Sequence, residues 1–171
     1  MTPLVFDATP LIYLTRIGLI RLIEAIPTRK FTTCSVFREV VEQGKAKGSA
    51  DALALAHLFE TNKISISEPT DIPLLQALRK IRGLEEPDVE TIALAKECGY
   101  TAVLDDLLAR KVAGTYGIDF VGTPYILILG IKNRLLSKQE ALSAVDDMIE
   151  AGWRCGPELY REIIRIIEGS R

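Results

Sequence analysis

The chain has one histidine, three cysteines and no excess of either charge among its 171 residues, and each shortage removes a class of chemistry. His57 stands alone, which excludes a catalytic triad or a zinc site calling for two histidines. Inside the helical-looking ADALALAHLFE it reads as a packing or surface residue. Cys34, Cys98 and Cys155 are odd in number and far apart, with no Cys-x-x-Cys pair, so neither a disulfide framework nor a cysteine-rich zinc site is indicated and they read as small core residues. A formal net charge of −2 gives no whole-molecule attraction for nucleic acid, so any such binding must be local. No uncharged apolar run approaches the roughly 18–20 residues of a membrane span. The first residues also lack the basic start and small-residue cleavage pattern of a signal peptide, and the expectation is a cytoplasmic protein with no membrane partner. There is no repeat, low-complexity tract or obvious linker, so one domain over 1–171 is expected.

What is present is an ordinary globular balance, 48% hydrophobic and 26% charged, laid out as an alternation. Short β-branched or apolar runs at 3–7, 30–34, 63–67, 101–105 and 118–122 read as five strands. Helical patterns cover 10–24, 35–43, 49–60, 73–82, 87–97 and 106–114, and three more follow in TPYILILGIKNR, SKQEALSAVDDMIEAG and PELYREIIRIIEG. Alternating strands and helices predict an α/β protein, a three-layer α/β/α arrangement around a mostly parallel five-stranded sheet. Helix starts are marked: Thr9 as an N-cap with Pro10 in the first helical position, Ser35 as a second cap, Glu86-Pro87 opening the helix that carries Asp88, and a Ser137–Glu140 capping box. In the last helix Tyr160, Ile163, Ile164 and Ile167 share one face, which reads as core.

An acid sits where the first strand runs into its helix, in LVFDATPLIYL. A carboxylate against a hydrophobic core is costly without compensation. In an open parallel sheet, ligands bind outside the carboxyl ends of the strands; Asp7 ends strand one and Asp105 and Asp106 end strand four, so they converge if those strands are neighbours. At 100° per residue, Glu39 flanks the Val36–Val40 stripe while Glu42 points away. Asp88 flanks Ile92, with Glu90 turned further off and held in reserve. Each acid alone has a plain structural explanation as a cap, a first-turn residue favoured by the helix dipole, or a solvated position. Several in one pocket would repel and be protonated unless a cation held them, and oxygen-only ligands suit Mg²⁺ or Mn²⁺. That is the chemistry of metal-assisted phosphodiester cleavage. Thr9, two residues past Asp7, can serve as cap and as a hydrogen-bond partner of the site.

At these residues the sequence resembles a PIN domain. The pieces are FDATPLIYL, SVFREVVEQG, EEPDVETIALAKECG and AVLDDLLARKVA, in that order, and GIDFVGTPYILILGIKNRLL is similar to a prokaryotic branch with a Gly-Thr after the last strand. The resemblance covers about residues 3–136, which implies a core over that span and a C-terminal helical extension over about 137–171. It implies an acidic site of Asp7, Glu39, Asp88 and Asp106 supported by Thr9, with Asp7, Asp88 and Asp106 as metal ligands. Asp105 is the alternative fourth acid, since two acids are consecutive here where relatives place a hydroxyl residue and one other. It further implies strand order 3-2-1-4-5, Mg²⁺ or Mn²⁺, hydrolysis of RNA, toxin ribonucleases with an antitoxin partner, and frequent homodimers. Arg110, one turn past Asp106, is expected to pair with it. Lys45, Lys47, Arg79, Lys80 and Arg82 are the candidate local contacts to RNA, against a default of solvated surface.

Other readings of the alternation fit less well. A receiver domain wants an aspartate ending strand three, where this chain has Ser65 to Glu68; a haloacid-dehalogenase-type phosphatase wants Asp-x-Asp, where it has Asp7-Ala8-Thr9; a Rossmann module wants a glycine-rich first turn, where it has DATPLI. The rival from another class is a PIN-like module that binds RNA or protein without catalysis.

Overall fold

A computed structural model describes residues 2–170. Five strands, β1 (Leu4–Phe6), β2 (Lys30–Thr32), β3 (Ser65–Ile66), β4 (Thr101–Val103) and β5 (Phe120–Val121), form one sheet in the order β3-β2-β1-β4-β5. Every pairing is parallel, with Val5 opposite both Phe31 and Ala102 and Phe6 opposite Val103. β1 and β4 are therefore neighbours at the centre, the condition that brings Asp7 and Asp106 to one edge.

The strands are short; β1, β2 and all of β4 but Thr101 are buried, β1 on both faces as an unbroken apolar run, while the edge strands are exposed (β3) or partly buried (β5). Side chains alternate across the sheet: Leu4, Phe6 and Val103 enter one core and Val5, Ala102 and Leu104 the other. The first core is closed by α1 (Ala8–Arg16), α2 (Ile20–Ala25), α5 (Ala50–Glu60), α9 (Thr123–Lys132), α10 (Lys138–Glu150) and α11 (Pro157–Gly169). The second is closed by α6 (Ile72–Arg79), α7 (Glu86–Cys98) and α8 (Leu107–Thr115). This is the expected three-layer α/β/α architecture. Among the described residues no helix is long and apolar enough to cross a membrane.

Several local expectations need correction. The helix read over 10–24 is two, because Gly18 takes φ +71°, a left-handed conformation that ends α1. α1 starts at Ala8, so Asp7 holds the N-cap position and Thr9 lies inside the helix. Ser35 is also inside its helix: α3 (Cys34–Phe37) is preceded by Thr33 and continues through a π-helical segment, Arg38–Gln43, into α4 (Gly44–Ala46). The cysteines are not core residues; Cys98 is exposed and Cys34 and Cys155 are partly so. The Ser137–Glu140 capping box forms as read, with Glu140 N–H donating to Ser137 Oγ at 3.1 Å and Ser137 N–H to Glu140 at 2.7 Å.

Candidate active site

The site is assembled from helix starts. Asp7 caps α1, Glu85 caps α7 and Asp106 caps α8, so the positive ends of three helix dipoles face one region and favour negative charge there. Asp88, in the first turn of α7, accepts a hydrogen bond from the Glu85 N–H at 3.1 Å. Asp106 accepts from the Ala109 N–H at 2.8 Å. Glu39 arrives from the π-helical segment; the wider turn re-aims the residues that follow α3, and such segments recur at functional sites. Together Asp7, Thr9, Glu39, Gly83, Glu85, Asp88 and Asp106 line a pocket of about 210 Å³. Gly83 has φ +91°, and a side chain there would press on Leu108 at 3.2 Å, so the loop before α7 is restricted to glycine at this wall.

No lysine or arginine lines this pocket, and the carboxyl groups respond. Asp7, only 5% exposed, is pushed up to about 8, first by burial and then by the negative charge of Asp88, against a downward pull from the Ala8 N–H. Asp88, 9% exposed, rises to about 6, chiefly by burial, with the charges of Asp106, Glu85 and Glu39 adding to it. Glu39 is also raised, by burial first and the Glu85 charge second. Asp7 makes no side-chain capping bond. Asp7 and Asp88 are thus buried acids beside further carboxylates in a pocket whose wall holds no basic side chain. Among the described residues, no three such side chains stand placed to hold a metal ion as they are.

Glu85 was not foreseen. Its signal was its place three residues before Asp88, the spacing of a reciprocal helix cap. Asp105 and Asp106, consecutive in sequence, go separate ways. Asp106 lines the pocket, whereas Asp105 accepts from the Thr123 N–H at 2.8 Å, the Thr123 hydroxyl at 2.6 Å and the Trp153 indole N–H at 2.9 Å. The Gly-Thr after the last strand thus ties Asp105 to the start of α9 and to the loop between α10 and α11. Glu90 is likewise engaged elsewhere, accepting from the Ser35 backbone N–H at 3.2 Å and from its hydroxyl. Arg110 does not pair with Asp106; its guanidinium lies over the Phe120 ring, 5.3 Å from the centroid. Arg79 is not a free cation either, because it grips Glu86 with its Nε at 3.0 and 3.1 Å from the two carboxylate oxygens. Lys45, Lys47, Lys80 and Arg82 are exposed.

Fold and site together define a parallel α/β protein with a carboxylate-walled pocket at the carboxyl edge of its central strands. The chain belongs to the PIN-domain family: it matches the DUF3368 family, described as a PIN domain, over residues 3–169. PIN domains are a nuclease fold. The match runs through α10 and α11, beyond the 3–136 that the motifs alone covered. No curated protein matches the chain.

Proposed function

We propose that this protein is a divalent-metal-dependent endoribonuclease. The observation that carries the reading is the convergence of Asp7, Glu39, Glu85, Asp88 and Asp106 on one pocket with no basic side chain in its wall. The donor set is oxygen alone, which suits Mg²⁺ or Mn²⁺, and the raised carboxyl groups of Asp7 and Asp88 mark where a cation's charge would be most stabilising. Asp7, Asp88 and Asp106 would hold it, and Glu85 lines the same pocket. A bound divalent ion supplies phosphate polarisation and a more acidic water. Glu39, half-buried and raised, is suited to take a proton from a water at the pocket mouth. Thr9, lining the same wall, offers a hydroxyl to orient that water or a phosphate oxygen.

Incubating the purified chain with single-stranded RNA and Mn²⁺ tests this. Cleavage that is lost in Asp7→Asn and Asp88→Asn variants with native circular dichroism is expected; cleavage indifferent to both substitutions overturns the assignment. A crystal soaked in Mn²⁺ should show density between the same acids.

The reading extends to the toxin branch, a cytoplasmic RNA target, an antitoxin partner and a homodimer. Induced expression should then arrest bacterial growth, with relief by Asp88→Asn, and the purified chain should sediment as a dimer. The observation favouring the alternative, an RNA-binding or protein-interaction module without catalysis, is that among the described residues no three acids are placed to hold a metal ion as they stand. RNA retained without cleavage in the presence of Mn²⁺ would establish it.

A further inference from the structure

Asp105 and Asp106 lie back to back between two cavities. Asp106 walls the carboxylate pocket, and Asp105 walls a second cavity of about 240 Å³ between the β5–α9 turn and α11. Apolar side chains make most of this second wall, among them Pro124, Tyr125 and Trp153, and two arginines, Arg110 and Arg154, stand in it. We propose that this cavity binds one nucleotide of the RNA beside the bond being cut, with the base among Pro124, Tyr125 and Trp153 and a phosphate on Arg110 and Arg154. The proposal rests on the ribonuclease reading and deepens it by naming a subsite.

Three observations favour a nucleotide. First, the charges are complementary: neither Arg110 nor Arg154 forms an ion pair among the described residues. Arg110 lies over the Phe120 ring, 5.3 Å from its centroid, a contact that leaves guanidinium donors available to a phosphate. The adjoining Asp105 does not oppose an anion in the same way, because its oxygens are already occupied by Thr123 and Trp153. Glu162 stands in the same wall but is exposed, where solvent screens its charge. Second, at about 240 Å³ the cavity has room for one ring system and not for a peptide segment. Flat aromatic and proline surfaces suit a base regardless of its identity. Third, the cavity adjoins the carboxylate pocket through two consecutive residues, Asp106 in the wall of one and Asp105 in the wall of the other, so one RNA strand could engage both.

Trp153 is the sole tryptophan of the chain, and its indole N–H gives a single reporter resonance. Titrating the ¹⁵N-labelled chain with AMP and with UMP should shift that resonance saturably at millimolar concentration, and orthophosphate alone should shift it much less. Arg110→Ala should weaken nucleotide binding about tenfold, and Arg154→Ala, at an exposed position, should weaken it too if the first variant fails to fold. In RNA cleavage Arg110→Ala should raise KM about tenfold with kcat changed less than KM. An indole resonance unmoved by nucleotides, or moved equally by orthophosphate, overturns the subsite even where the chain cuts RNA. A saturable nucleotide shift in a chain that cuts no RNA keeps the nucleotide site and overturns the catalytic reading instead.

Discussion

The two ends of the sheet carry opposite charge, and the larger cavity is at the wrong end. At the carboxyl edge, three helices begin with acidic caps around about 210 Å³. At the amino edge, Arg29, Lys30 and Lys63 line about 440 Å³. There Lys30 donates to the Ile26 carbonyl at 2.7 Å and the Thr28 carbonyl at 2.8 Å, groups that follow the end of α2, and Arg29 lies over Phe31 at 5.0 Å. Peptide dipoles account for the division, since helix starts favour anions and helix ends favour cations. The difference that matters is satisfaction. The amine of Lys30 is already engaged by carbonyls, whereas the Asp7 carboxyl makes no side-chain capping bond and faces other acids. Size therefore points to one end and unspent chemistry to the other.

The sharpest way to break the contrast is to neutralise each end in turn. Asp7→Asn or Asp88→Asn should lower Mn²⁺-dependent RNA cleavage by more than about 100-fold, since even residues that only support a metal ligand are worth 10–100-fold. Lys63→Ala, at the basic cavity, should change the rate by less than about twofold, because a rim charge remote from the reaction affects little beyond encounter. Comparable losses at both ends would mean that RNA is gripped across the whole molecule.

Next in size is the wall between the two carboxyl-edge cavities. Asp105→Ala removes the acceptor for three donors and leaves Thr123 and Trp153, both buried, with unpaired N–H or O–H groups. A loss of about 2–4 kcal/mol in urea unfolding is expected. Asp105→Asn, which keeps one acceptor oxygen, should lose less. If both variants were as stable as the parent, the tie from β4 to the C-terminal helices would have no energetic role.

How far the sequence shows this division depends on the range of the signal. The five strands were legible because the runs around Val5, Phe31, Ala102 and Phe120 are short, apolar and regularly interleaved with helices, whereas their order came from the resemblance to PIN domains. Asp7, Asp88 and Asp106 were legible because strand ends and helix first turns can be placed by local pattern. Three features were not. The π-helical turn carrying Glu39 has no distinctive local composition. The Asp105–Trp153 bond joins residues 48 apart, beyond any periodicity. The earlier helix start, with Asp7 rather than Thr9 at the N-cap, has no side-chain capping bond behind it and so left no local signal.

The pH dependence of stability separates the two ends more finely. Asp7 and Asp88 have folded-state values raised from 3.8 to about 8 and about 6. Their protonated forms are favoured by folding, so that stabilisation is complete below about pH 4 and is lost as pH rises through 6 and then 8. In metal-free protein the Tm set by these groups should therefore fall between pH 4 and 8, by something on the order of 5–10 °C, and Asp7→Asn should flatten most of the slope. Added Mn²⁺ should restore more at pH 8 than at pH 5, where protons compete with it. A flat profile in the parent would show that the acids are solvated rather than crowded.

The smallest expected effect tests the satisfied end. Lys30 is 8% exposed, and its pKa is lowered by burial first and by the Lys63 charge second. Replacing it with methionine removes that desolvation cost but also forfeits the two donations to Ile26 and Thr28, so the opposing contributions should leave stability within about 1 kcal/mol of the parent. Asp7→Asn in the metal-free protein at pH 8 has no comparable bond to lose and should instead gain stability. The two substitutions each neutralise one buried group at one edge of the same sheet. Opposite outcomes in parallel urea titrations would locate the difference in partners rather than in burial, while equal gains would mean that the Lys30 carbonyl bonds contribute nothing and that both edges hold charge at a cost.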